Sequence, residues 1–159
     1  MALGWLARRP LAEAELRKRL GDRGFSDDEV ERTVGELIAE KLIDDAGLAA
    51  DYVVLRAQRM HLGRGRLVRD LQRRGVDRAV AENAWRQAVD SGDLDAGEIL
   101  RSAVARRLGR EREFTAAVRR RVYNALFRAG FAAADVYAEL GRQWPPSDAE
   151  SGYDDDEGA

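Results

Sequence analysis

The chain has 159 residues, no cysteine, one histidine and a formal net charge of −2, which excludes disulfides, thiolate catalysis and cysteine-ligated zinc. No apolar run reaches the roughly 18 residues that span a bilayer. The start lacks a charged-then-apolar export leader, so the expectation is a cytoplasmic protein without membrane contact. The near-neutral total hides a partition. Up to Leu55 acids exceed bases by about four, Arg56 to Val89 holds nine arginines against Asp70, Asp77 and Glu82, and the stretch from Trp144 has six acids and no base. A polyanion would meet the middle of the chain first. Because Lys18 and Lys41 are the only lysines, the abundance of arginine reflects genome composition, and only its placement on helix faces is informative.

Sustained period-two alternation and hairpin turn dipeptides are absent, so the fold is predicted to be all-α. Met1 to Arg9 reads as a short helix. Pro10 then stands where a helix can start, and Leu11 to Leu20 form the next, ended by Gly21 and Gly24. Ser26 and Glu29 have the capping-box spacing and open a third helix through Val30, Val34, Leu37 and Ile38. A second set begins at Asp44-Asp45, runs through Leu48, Tyr52 and Leu55, and breaks at His61 to Gly65. A helix through Leu67 and Leu71 follows, and after Gly75 another is capped by Asp77 and buries Val80, Ala84, Trp85 and Val89. In the third set Ile99, Ala103 and Val104 supply the first helix, Phe114 to Phe127 the second and Asp135 to Leu140 the third. Trp144-Pro145-Pro146 stops helical structure, and the polar, acidic remainder is expected to be disordered.

These sets are copies. Leu16, Leu20, Gly24 and Phe25 recur as Leu67, Leu71, Gly75 and Val76, and again as Val122, Leu126, Gly130 and Phe131, a period that marks a repeat architecture. Each copy places a glycine where a helix can close in left-handed backbone. The expected organisation is three tandem three-helix repeats in an elongated, curved array, spanning 1–43, 44–94 and 95–143, followed by an acidic tail, 144–159. A unit of this size buries little apolar surface alone, so neighbouring copies should pack on one another.

Candidates for chemistry are few, and neither an enzyme, a metal nor a cofactor is expected. His61 has no cysteine or second histidine with which to share a metal. Asp44-Asp45 sits where one helix ends and the next begins, which suits capping a positive helix N-terminus better than acid-base work. Gly63-Arg64-Gly65-Arg66 lacks the lysine and hydroxyl of a nucleotide-binding loop and follows a helix rather than a strand. The helix after it says more. At about 100° per residue, Leu67, Leu71 and Arg74 share one side while Arg66, Arg69 and Arg73 form a stripe on the other. At the same offsets the third copy has Arg121, Asn124 and Arg128, and the first has Glu15, Lys18 and Asp22. Arg56, Arg59 and Arg64 add positive density nearby. The stripe is either a solvated face or a surface for a polyanion or protein. Stacking on bases is less supported, since Tyr52, Trp85 and Tyr123 occupy positions compatible with the core.

The order of Leu6-Ala7-Arg8-Arg9, Glu15-Leu16 and Leu20, then Leu42-Ile43-Asp44-Asp45, Tyr52-Val53 and Arg56, then Gly63-Arg64-Gly65-Arg66-Leu67 and Arg73-Arg74-Gly75-Val76 resembles the RecX family, regulators of the RecA recombinase. Arg121-Val122, Leu126 and Arg128-Ala129-Gly130-Phe131 extend the resemblance through the third copy. It covers roughly Leu3 to Leu140. It implies three tandem three-helix units, curved overall, that bind within the groove of the RecA filament on DNA. It also implies inhibition of ATP hydrolysis, strand exchange and co-protease function, with weaker direct affinity for single- and double-stranded DNA and no catalysis. The partner-binding candidates are Arg56, Arg64, Arg66, Arg69, Arg73, Arg121 and Arg128, on a chain expected to be monomeric. Three departures stand out: Leu48 replaces a common aromatic, the N-terminal helix is short, and the acidic tail lies outside the pattern. The alternatives are a helical DNA-binding protein acting without RecA, and an adaptor whose contact is the acidic tail.

Overall fold

The computed structural model describes residues 1–144, so the expectation for the acidic tail, from Pro145 onward, lies outside the described residues. Among the described residues there are nine helices and no strand. They are α1 (Ala2–Leu6), α2 (Glu13–Gly21), α3 (Asp27–Ala39), α4 (Asp45–Met60), α5 (Arg64–Arg73), α6 (Arg78–Asp90), α7 (Ala96–Leu108), α8 (Ala116–Arg128) and α9 (Ala133–Gln143). In each group of three, the second helix carries the repeated leucine positions and the glycine follows it. Gly24, Gly75 and Gly130 have φ of 87°, 90° and 92°. The next residue's N–H closes back on the helix, from Phe25 to Leu20, Val76 to Leu71 and Phe131 to Leu126, the bond that satisfies an otherwise orphaned helix carbonyl.

Start signals also act as read. Ser26 and Glu29 form a full capping box on α3. Asp44 accepts from the Gly47 N–H at 2.9 Å, and Asp95, not named in the sequence analysis, accepts from Glu98 N–H in the equivalent place at 2.8 Å. Asp77 caps α6 through the Ala79 N–H.

Several helix bounds and faces differ from the sequence expectation. Helix α1 ends at Leu6, and α2 starts at Glu13 because Pro10, Leu11 and Ala12 stay extended enough to bury Leu11 and Ala12. The break after α4 is only His61 to Gly63, so Gly65 and Arg66 are helical. Leu55 and Ile38 are exposed, as is Val89 at the margin. In α4 the buried row is Ala49, Val53 and Ala57, and it packs on the Ala81, Ala84 and Ala88 row of α6. Small residues three or four apart on both helices let the two axes approach closely, and the larger Leu55 lies off this row and faces outward.

The core is in two parts. Leu11, Leu16, Leu20, Val30, Val34, Leu37 and Ile43 form one cluster within the first three helices. A second, continuous cluster runs from Leu48 to Leu140 and includes Ala12. The second and third units therefore share a core, and the first is joined to it at the start of α2.

Both joints use the repeated glycine. At the second, Gly63 N–H donates to the Ala129 carbonyl at 2.8 Å and Gly65 N–H to that of Gly130 at 3.0 Å. A Cβ on Gly63 would lie 2.6 Å from the Gly130 carbonyl carbon, and one on Gly130 would lie 2.6 Å from Arg66 Cβ. The first joint is looser. A Cβ on Gly75 would lie 3.0 Å from Ala14 Cβ, Arg74 donates to the Pro10 carbonyl at 3.1 Å, and Asp45 accepts from the Glu13 N–H at 2.9 Å. Gly24, which meets no other unit among the described residues, has open space around its Cβ position. The glycine-rich break is thus a tight joint and not a loose turn. Urea denaturation should show Gly24→Ala costing about 1–2 kcal/mol, for left-handed backbone alone. Gly130→Ala should cost about 3 kcal/mol or more, because overpacking against Arg66 is added. Equal losses would mean that the joint is not close-packed.

Candidate interaction groove

Docking the α8–α9 turn onto the start of α5 leaves a groove of about 1370 Å³ between the second and third units, walled by α5, α6, α7 and α9. Seven arginines and three carboxylates line it, so its sign is positive. The sequence-predicted Arg64, Arg66, Arg69 and Arg128 meet there, while Arg73 stands at the edge beside Arg66 and Arg69. Arg56 and Arg121 do not line it. Arg56 packs over the Tyr52 ring, 5.5 Å from its centroid, and against Met60. Arg121 pairs with Glu111 at 2.5 Å.

Internal carboxylates cancel part of this charge. Asp70, largely covered, is shared by Arg66 at 3.0 Å and by Arg73. Glu82 is shared by Arg64 and Arg78. Each arrangement keeps one surplus positive charge. Arg142 is matched one to one by the buried Glu139 at 2.6 Å, while Arg101 faces both Glu98 and Asp95, an arrangement with one surplus negative charge. Among the described residues, Arg69 and Arg128 form no ion pair with any carboxylate, and both are exposed. Asp135 is the lining carboxylate in the same position. The stripe read from the sequence is therefore a graded surface in which Arg69 and Arg128 are the cations most available to an outside anion.

Arg101, Arg142 and Phe127 were not singled out by the sequence reading. Phe127 is 55 % exposed and stacks nearly parallel on Tyr123 with centroids 6.4 Å apart. The Tyr137 ring lies 4.7 Å from that of Tyr123, tilted by 50°. Tyr52, Trp85 and Tyr123 are half-buried and packed on the core, as their spacing suggested.

The remaining candidates have structural occupations. Both members of the Asp44-Asp45 pair accept from helix N-terminal N–H groups, Asp44 in its own helix and Asp45 across the joint to α2. Burial raises the Asp45 carboxyl above its ordinary range. His61 ends α4 in left-handed backbone with φ of 48°. Partial burial lowers its pKa, and the nearby Arg106 and Arg107 guanidiniums add to this. Among the described residues no group of three or more His, Asp or Glu side chains could hold a metal ion, and no helix is long and apolar enough to cross a membrane.

The chain is similar to known proteins. A family model described as RecX, first three-helix domain, matches residues 1–37. The regulatory protein RecX of Mycobacterium ulcerans is 36% identical over 149 residues, covering 88% of this chain and 83% of the relative. This chain belongs to the RecX family. RecX of Amycolatopsis mediterranei is 32% identical over 152 residues, 95% of this chain and 85% of that one. The crystal structure of RecX from Lactobacillus salivarius superposes with a TM-score of 0.71 over 89% of this chain and 90% of the other. A second crystal structure, of a regulatory protein RecX, gives 0.74 over 87% and 69%. At 20% and 21% identity these two show that the all-α fold is shared.

The imidazole environment gives a direct check. Because the folded state depresses the His61 pKa, the folded protein binds fewer protons than the unfolded chain at mildly acid pH. His61 therefore contributes stability above the ordinary imidazole range, and that contribution is lost as pH falls through the folded value. An NMR titration should place the His61 midpoint below 6.5, and Arg107→Ala should move it upward. A midpoint above 6.5 would contradict the assigned surroundings.

Proposed function

We propose that this chain regulates RecA, chiefly as an inhibitor. It would lie in the groove of the RecA filament on DNA and restrain ATP hydrolysis, strand exchange and co-protease activity. Family membership supports the class of function. The observation that carries the contact surface is the arginine-lined groove between the second and third units, with Arg69 and Arg128 uncommitted to any internal carboxylate. Arg66 and Arg73 each offer a guanidinium that shares its carboxylate, so phosphate oxygens or filament carboxylates can take up the surplus charge. Arg64 contributes from the joint itself. Arg56 and Arg121 lie outside the groove and have a weaker case. Units on one chain raise each other's effective concentration, so several modest contacts suffice.

The exposed outer row of α5 also fits a recognition helix, which favours a second reading as a DNA-binding protein that acts without RecA. The two readings part in one experiment. RecA ATPase on single-stranded DNA is titrated with wild-type protein, with Arg66→Glu/Arg69→Glu/Arg73→Glu, and with Arg69→Glu/Arg128→Glu, which breaks no internal ion pair. Both variants should raise the half-inhibitory concentration about tenfold or more, since each charge-assisted hydrogen bond removed costs about 1–2 kcal/mol. Folded variants that inhibit as well as wild type would dismiss the groove as the contact surface. Equal affinity for DNA with and without RecA, with a steep salt dependence, would favour the second reading.

A further inference from the structure

The acidic stretch is the sequence feature that this reading leaves without a role. Asp148, Glu150, Asp154, Asp155, Asp156 and Glu157 place six carboxylates within ten residues, with no base among them. The stretch lies beyond the described residues, but its point of departure does not. Gln143 at the end of α9 donates to the Arg101 carbonyl at 3.2 Å. Arg101 and Arg142 both line the groove, and Trp144 just beyond them packs edge-on against Phe114, so the chain leaves α9 two residues past the last groove-lining one. Asp154 follows Trp144 by ten residues, which in extended form reach up to about 35 Å.

We propose that Asp148 to Glu157 dock in the groove between the second and third units as an internal competitor for the polyanion that the groove takes from outside. The proposal rests on the polyanion reading of that groove. Charge complementarity selects this occupant. The groove wall has surplus positive charge and two guanidiniums without carboxylates, Arg69 and Arg128, and the stretch carries only negative charge. A tethered segment acts at an effective concentration in the millimolar range. Individual exposed carboxylate–guanidinium contacts are weak. If the free segment would bind with a dissociation constant of about 0.1–1 mM, its occupancy of the groove lowers apparent affinity for an external polyanion about 2- to 10-fold. Salt should erase the effect, because both contacts are exposed and screened.

The test uses the full chain with all six acids replaced, Asp148→Asn, Glu150→Gln, Asp154→Asn, Asp155→Asn, Asp156→Asn and Glu157→Gln, crossed with Arg69→Ala/Arg128→Ala. Binding of a fluorescein-labelled oligothymidylate of about 20 nucleotides, ample for a groove of this kind, is read by anisotropy at low and moderate salt. The neutralised chain should bind about 2- to 10-fold more tightly at low salt. That gain should fade with added salt and vanish in the Arg69/Arg128 background. Unchanged affinity on neutralisation, with the arginine pair still mattering, overturns the docking and leaves the groove reading intact. A gain that survives loss of both arginines also overturns it, since repulsion without docking then explains the change. If the arginine pair affects binding in neither background, the polyanion reading fails and the proposal fails with it.

Discussion

What makes one body of the second and third units depends on one contact, the C-terminal turn of α8 against the N-terminus of α5. The first turn of a helix leaves N–H groups without intrahelical partners, and the last turn leaves carbonyls in the same position. Here the two deficits cancel, because the Gly63 and Gly65 N–H groups take the Ala129 and Gly130 carbonyls. The dipoles also meet with opposite partial charges. Such direct pairing requires backbone to touch backbone, and it is glycine on both sides that permits this. With side chains at Gly63 or Gly130 the hydrogen bonds could not form at their present length.

The same contact creates the groove and explains why it lies where it does. Once the third unit is held at the start of α5, the outer row of α5 faces α7 and α9 across a gap, and Arg128 is brought to the end of α8 beside that gap. Arginines separated by about sixty positions in the chain become one surface. The shared core from Leu48 to Leu140 fixes the walls, so the groove is a property of the folded array rather than of any one unit. The first joint is built differently. There the Glu13 N–H is taken by Asp45, and Glu15 is held by Arg9 and Arg19.

Local signals were legible because local physics determines them. A glycine that closes a helix, a serine three residues before a glutamate, and an aspartate at a helix start each act within a few residues of their position. The fold class and the three copies follow from those signals with the apolar spacing. What escaped the sequence reading depends on partners far along the chain. Gly63 and Gly130 could be read as turn formers but not as each other's neighbours. The stripe of Arg66, Arg69 and Arg73 was visible, and its pairing with Asp70 on the same helix was a local signal open to the same reading, whereas Glu82 reaches Arg64 from α6. Leu55 lies off the small-residue rows that bring α4 and α6 together. Apolar spacing on α4 alone could not reveal that.

Comparing the two joints position by position separates what the array needs from what this groove adds. Aligned on Leu16 and Leu67, the first turn of α2 holds Glu13 and Glu15, and the first turn of α5 holds Arg64 and Arg66 with no acid at all. Acids at a helix N-terminus are stabilising and cations there are not. The α5 start therefore sits against its own macrodipole, and Glu82, Asp70 and two carbonyls from the third unit offset the misfit. A residue choice made only for stability would repeat the first joint's acids. Departures from local rules that need compensation elsewhere are expected where function constrains the side chain. The placement of Arg64 and Arg66 thus supports, independently of how many arginines the chain contains, the proposal that positive charge at this joint meets a partner.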